Sequence, residues 1–384
     1  MHNPYAGVNW DQARLIPSAS HMHLANQSHL ENAYQFGIRH FPISNYYPSA
    51  PYDAKTRLSD FRLQQWWPAT RDGRRMVPPI NWNDIVDWSD ELDEPYRSQV
   101  PFGETEPVYT AIPDDAILSH NAEHHGFSNS QAHICSPGSS FASGTFDVHN
   151  KFQLNQHGFP VGYGGTWQAA FEGMIEGLDY ADGGGITINH PTWFSRFSDE
   201  QVLEMLDFDD RVLGIEIYND YSGKRDWSQN PDYEAPDEPE QGFSLKLWDR
   251  ILSTGRRCWG HCVPDHSAGG GNWKGRCMLV VVNETEHACL KAYREGSFYG
   301  CLTGEGPFVK HFEASETSVS VTLSSSAQIT FVADAVVART VTGDHAIFDV
   351  PQRNGAAGVT YVRVEVRDDT GERLFLQPVR YGTG

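Results

Sequence analysis

Apolar and polar positions follow two different rhythms along this chain, and the change falls near residue 303. Before it, short apolar runs bounded by turn residues read as strands: "SASHMHL" (18–24), "GIRHFPIS" (37–44), "AILSHNAEH" (116–124), "QAHIC" (131–135), "GITINH" (185–190), "VLGIEIY" (212–218), "RCWGHCV" (257–263) and "CMLVVV" (277–282). Helical spacing appears between several of them, in "TWQAAFEGMIEGL", "SDEQVLEMLDF", "FSLKLWDRILSTG" and "NETEHACLKAYREG". Ser198 with Gln201, and Asn283 with Glu286, stand three apart as in capping boxes, and Gly296 closes the last helix. Strands alternating with helices predict parallel βα units, as a barrel or a doubly wound sheet.

Two stretches break this rhythm. Residues 48–113, with Trp66, Trp67, Trp82 and Trp88 among many prolines, are too long for an ordinary connection. They read as an ordered insertion that covers an opening or joins two subunits. Residues 229–242, containing "NPDYEAPDEPEQG", read as an acidic surface loop. From about residue 303, "SVSVTL", "AQITFV" and "TYVRVEVRDDTGERLFL" alternate with period two and no helical spacing returns. The expected division is therefore a larger unit over 1–302 and a small antiparallel, sandwich-like β domain over 303–384.

Composition narrows the partners. With 384 residues, 39% of them hydrophobic and 21% charged, the chain has ample material for a core. Its formal net charge of -21 repels a phosphate backbone, and no Lys/Arg block tracks nucleic acid, so a small-molecule substrate is expected instead. No apolar run approaches a membrane span, and a homo-oligomer is left open. The six cysteines are scattered and the opening residues show no basic and apolar leader pattern, which predicts reduced thiols and a cytoplasmic location.

The candidate chemistry lies in histidines at strand ends. His21 and His23 are two apart on a strand, so both imidazoles point to one side and can reach one ion. Glu123 ends another strand, His133 follows ten residues later, His190 ends "GITINH", and Asp265 with His266 ends "VPDHS". A βα architecture gathers such positions at one mouth. Imidazole with carboxylate and no obligatory thiolate suits Zn, Mn or Fe. Cys258 and Cys262 read as core thiols, and Glu216 in "GIEIYN" reads equally as structural or as a partner of a metal ligand. "GYGGTW" lacks the P-loop lysine, and "SPGSS" and "FASGTF" lack a nucleophile elbow.

The series "HMH", "NAEHHG", "QAHI", "INHP", "GIEIYN" and "LWDRILSTGRRCWGHCVPDHS" resembles the polymerase and histidinol phosphatase (PHP) family of metal-dependent phosphoesterases over roughly residues 17–300. The resemblance implies a distorted (β/α)7 TIM-like barrel with metals at the carboxyl ends of its strands. It also implies His21, His23, Glu123, His133, His190, Asp265 and His266 as ligands. Ser28, Asn45 and Tyr46 stand where the family carries further ligands, and Asp265 and His266 are adjacent rather than separated by one residue. One or two ions are therefore expected. The implied activity is hydrolysis of a small phosphate ester by metal-activated water, with Asp265 or His266 steering that water or taking its proton. Basic candidates for a phosphate are few (Arg39, Lys151, Lys224, Arg225), which keeps two rivals open. One is a metal-dependent amide or lactone hydrolase; the other is a non-catalytic binding protein on a degenerate barrel.

Overall fold

The computed structural model describes residues 1–24, 26–44, 111–124, 132–139, 141, 166–192, 197–224 and 242–381. Most of the interrupting segment 48–113, nearly all of the acidic stretch 229–242, and Asn45, Tyr46, Lys151 and Arg225 lie outside the described residues.

The strands fall into two principal sheets. One has eleven strands: β1 (Arg14–Ser18), β2 (His40–Pro42), β3 (Ile117–Ser119), β9 (Arg276–Val281), β10 (Phe298–Cys301), β11 (Val309–Ala314), β12 (Ser318–Ala333), β13 (Val336–Asp349), β16 (Tyr361–Arg367), β17 (Arg373–Leu376) and β18 (Val379–Arg380). The other has five, in the order β4 (Glu123–His124), β5 (Ile134–Cys135), β6 (Ile186–Ile188), β7 (Val212–Asn219) and β8 (Trp259–Val263). A small hairpin, β14 (Gln352–Arg353) with β15 (Ala356–Ala357), stands apart. Six helices complete the described residues: α1 (Gln27–Gln35), α2 (Trp167–Glu176), α3 (Asp199–Leu206), α4 (Asp220–Lys224), α5 (Leu245–Ser253) and α6 (Glu286–Glu295).

The expected (β/α)7 barrel does not form. Strand accounts for 39% and helix for 20%, and no closed barrel is found among the described residues. Among the described strands, parallel pairing joins β1 with β2, β2 with β3, β6 with β7 and β7 with β8. The reason is visible in the connections: three residues separate β3 from β4, whereas a parallel crossover needs about a dozen. β4, β5 and β6 pair antiparallel, and β9 runs antiparallel to β1 instead of following β8 around a ring. The strands after residue 303 are antiparallel, and they extend the large sheet through β17 onto β10.

Local chemistry accounts for the elements that hold the site. α3 starts at Ser198, whose side chain and that of Gln201 cap each other's backbone amides, as its sequence predicts. α6 starts instead at Thr285, whose side chain takes the Ala288 amide, two residues later than Asn283 of the sequence pattern. It stops at Gly296, which adopts φ 80°; a Cβ there would lie 2.6 Å from the Trp259 ring. α5 puts Leu247, Trp248, Ile251 and Leu252 into a core shared with α2, α3 and β5 to β8. A second core, with Leu213 and Trp259 against Ile16, Leu279, Tyr293 and Phe298, joins the two sheets. These two cores fix the direction of β6 to β8, whose carboxyl ends carry the site. No helix among the described residues is long and apolar enough to cross a membrane.

Candidate metal centre

His21 and His23 flank Met22, which lies in a parallel bridge beside Asp265. The backbone amide of Asp265 donates to the His21 carbonyl at 3.2 Å, and the Ser44 amide donates to the Met22 carbonyl at 3.0 Å. The segment is thus extended without belonging to β1, and the two imidazoles share a face as the spacing predicts. Glu123 enters from β4, His133 from the residue before β5, His190 from two residues beyond β6, and Asp265 from two residues beyond β8.

Glu123 is the centre of the group. Its Oε2 lies 3.1 Å from His23 Nε2, and its Oε1 lies 3.1 Å from His133 Nδ1, 3.4 Å from His190 Nε2 and 3.4 Å from His21 Nε2. Asp265 Oδ1 is 3.3 Å from His21 Nε2 and 3.4 Å from His23 Nε2. Within each of four sets (His21, His190 and Asp265; His21, His23 and Glu123; His23, Asp265 and His266; Glu123, His133 and His190) one donor atom per residue lies within 4.8 Å of the others. All seven residues expected from the sequence therefore meet, six of them buried. His266 stands at the rim, with its side chain 35% exposed, its ring stacked on His23 at 3.9 Å and its Nε2 4.0 Å from Asp265.

The donor set fits a cation. His21 Nδ1 lies 2.7 Å from Glu216 Oε1, and a neutral imidazole that donates there presents its lone pair at Nε2. That lone pair faces His23 Nε2 at 3.1 Å and the carboxylates of Glu123 and Asp265. Acceptors facing one another in a water-poor interior need a positive charge between them, a proton or a metal ion. Glu216 and Asp265 have no Lys or Arg partner among the described residues. Burial disfavours a charged His21, yet Asp265, Cys135, Glu123 and Glu216 together hold its pKa well above the usual value. Burial and the carboxylates of Glu123 and Glu216 push Asp265 upward, against the pull of His21. Burial also works against an ionised Glu216, but His21 and the hydrogen bonds to His21 and Asn219 keep it below the usual carboxylate range. His40, His124 and His261 behave in the opposite way: burial drives each down to about 3, and each bonds to a serine hydroxyl.

Backbone strain gathers at the same place. Among the described residues, five non-glycine positions have positive φ, and Asp334, Ala335 and Asn354 occupy hairpin turns. The other two are His190 at φ 25° and Asp265 at φ 54°. Such conformations cost about 1–3 kcal/mol and persist where the surroundings over-determine them. Here the Glu216 carboxylate takes the His190 amide at 2.7 Å, and Asp265 Oδ1 takes the His266 amide at 2.6 Å.

Two asparagines complete the arrangement, and sequence reasoning passed over both. Asn219 donates to Glu216 at 2.9 Å and to Asp265 at 3.1 Å, tying β7 to the turn after β8. Asn189 donates to Glu123 Oε1 at 3.2 Å. Each stands inside a motif that was read for its neighbour, "GIEIYN" and "INHP". Elsewhere, Arg39 bonds to the Tyr34 and Ile38 carbonyls and pairs with Asp115, Ser28 is exposed on the first turn of α1, and all six cysteines are free and buried.

No family model and no curated protein matches the sequence. Among solved structures, a two-domain protein from Bacteroides vulgatus containing a predicted PHP-like metal-dependent phosphoesterase is 11% identical over 96% of this chain and 96% of its own, with a TM-score of 0.39. A likeness of that size establishes neither fold nor activity.

Proposed function

We propose that this protein is a metal-dependent phosphoesterase acting on small phosphate esters, with one or two divalent ions of the Zn, Mn or Fe class held by His21, His23, Glu123, His133, His190 and Asp265. The observation that carries the reading is the convergence of four histidines and Asp265 around Glu123, with acceptor atoms turned toward one another. A divalent cation there supplies Lewis acidity, which lowers the pKa of water toward neutrality and offsets charge on a phosphate oxygen. The remaining work belongs to the chain. Glu216 fixes the His21 tautomer and aims its Nε2 inward. Asn219 holds Glu216 and Asp265 in register. Asp265, buried among the ligands, positions the attacking water, and His266 at the exposed rim exchanges the proton with solvent or leaving group.

A carbonyl hydrolase is the second reading, favoured by the engagement of Arg39 with Asp115, away from the cluster. Metal analysis of the purified protein decides first: at least one equivalent of transition metal is expected, lost in His21→Ala, with anomalous scattering placing it beside Glu123. Phosphate monoesters and diesters are then screened beside amides and lactones. Protein without stoichiometric metal ends both readings, amide or lactone turnover alone selects the second, and bound metal with no turnover leaves a binding protein.

A further inference from the structure

The end of the five-stranded sheet opposite the histidine cluster carries a cavity of about 960 Å³. Its wall is built by the turn before β7, the start of β8, the end of α6, and Arg380 of β18. Small-molecule sites usually measure about 300–1,000 Å³. Along β8, Trp259 at the cavity is six residues from Asp265 at the cluster, roughly 20 Å at the rise of an extended chain.

Three guanidinium groups line this cavity without a carboxylate partner among the described residues. Arg257 donates to the backbone carbonyls of Asp210 and Val212, Arg294 to those of Ala181, Gly183 and Gly184, and Arg380 to that of Gly255. Arg380 Nε is buried with no hydrogen-bond partner. The acidic side chains on the wall are engaged by other cations: Asp207 by Arg256 and Asp209 by Arg211, each through two bonds, and Glu295 by Lys291. That leaves the carboxylate of Asp210 against three arginines. Burial, with mutual repulsion added, lowers the pKa of Arg294 to about 10 and depresses Arg380 as well. The His2 ring stacks on the buried Trp259 ring at 5.7 Å and the Arg257 guanidinium lies 5.9 Å from the same ring, which fixes both groups at the cavity wall.

Like charges held together and partly desolvated are unfavourable unless something anionic joins them. Guanidinium forks recognise planar or tetrahedral oxyanions through paired hydrogen bonds. We propose that this cavity binds a small multivalent oxyanion, from the phosphorylated or the polycarboxylate metabolites, at a site separate from the histidine cluster. The proposal is independent of the catalytic reading, because none of these arginines touches the cluster.

Calorimetric titration of the full-length, metal-loaded protein with pyrophosphate and with citrate, at constant ionic strength, tests it. Wild type is expected to bind at least one of them with 1:1 stoichiometry, and the preferred anion names the source class. Arg380→Gln is expected to weaken binding tenfold or more. Thr254→Glu, an exposed position at the cavity wall, adds a repelling charge without removing an arginine and is expected to weaken it similarly. It keeps the test valid if Arg380→Gln fails to fold. Absence of saturable binding by either anion overturns the proposal. So does equal affinity in wild type and Thr254→Glu, which would assign the anion to the metal centre.

Discussion

Glu216→Gln exchanges one buried carboxylate oxygen for an NH2 group at nearly constant volume. Glu216 accepts from the His190 amide at 2.7 Å and from Asn219 at 2.9 Å through Oε2, and faces His21 Nδ1 at 2.7 Å through Oε1. An amide has one acceptor oxygen, and the two donors on Oε2 claim it. Its NH2 then faces His21 Nδ1, so the imidazole must move its proton to Nε2, the atom that points at Glu123 and Asp265. A ligand lone pair is lost from the centre. Changes to groups that orient metal ligands typically cost 10–100-fold in affinity, which corresponds to about 1.4–2.8 kcal/mol. Competition against a chromophoric chelator at pH 7 reads the affinity, and circular dichroism of the metal-stripped protein confirms the fold. An unchanged affinity, within twofold, in a folded variant would refute the claim that Glu216 sets the tautomer of His21.

Three further outcomes are expected. His40, His124 and His261 are held neutral by burial, with pKa values of about 3 against an ordinary 6.5, so the unfolded chain binds more protons between those limits and stability falls as pH drops through them. With about 1.4 kcal/mol per proton and pH unit, denaturant midpoints at pH 7, 6 and 5 should decline ever more steeply, and a flat profile would contradict the burial argument. Gly214→Ala puts a Cβ 2.0 Å from the Trp259 carbonyl oxygen, a backbone atom that cannot swing away, and should cost about 3 kcal/mol or more in denaturant unfolding. Asp249→Asn removes one of the two carboxylates on the Arg363 guanidinium, which is only 4% exposed, is held by Asp249 through bonds of 2.7 Å between α5 and β16, and keeps its pair with Glu365. A loss of about 1–3 kcal/mol is expected, measured in the same way.

The strand candidates of the sequence fall on or beside real strands, but their arrangement was not legible in it. Hydrophobic periodicity reports which residues are buried and says nothing of which strand lies next. "AILSHNAEH" reads as one run, yet it makes two strands, β3 in one sheet and β4 in the other, with His120, Asn121 and Ala122 between them. The Asn121 side chain supports that break by donating to the carbonyls of Ser20 and Pro42 and accepting from the amides of Ala122 and Ser136. A side chain serving four backbone groups from three segments is a long-range fact, and a barrel drawn from alternation alone misses it.

The site was more legible than the fold because its chemistry constrains residue type directly. A histidine or carboxylate at one strand end says little by itself, but the series of them along the chain singles out seven residues, and those seven lie together. What the sequence concealed is the support beneath them. Asparagine is an ordinary residue after a strand, and nothing in "GIEIYN" says that Asn219 reaches both Glu216 and Asp265. The left-handed backbone of His190 is equally silent: Pro191 suggests a turn, but the amide bond to Glu216 that sustains φ 25° comes from another strand. The two facts belong together. Glu216 aims His21 with one oxygen and holds the His190 turn with the other, so a single buried carboxylate orients two members of the cluster. The residue that sequence reading left divided between structural and functional roles serves both, and at this position the two roles are physically the same.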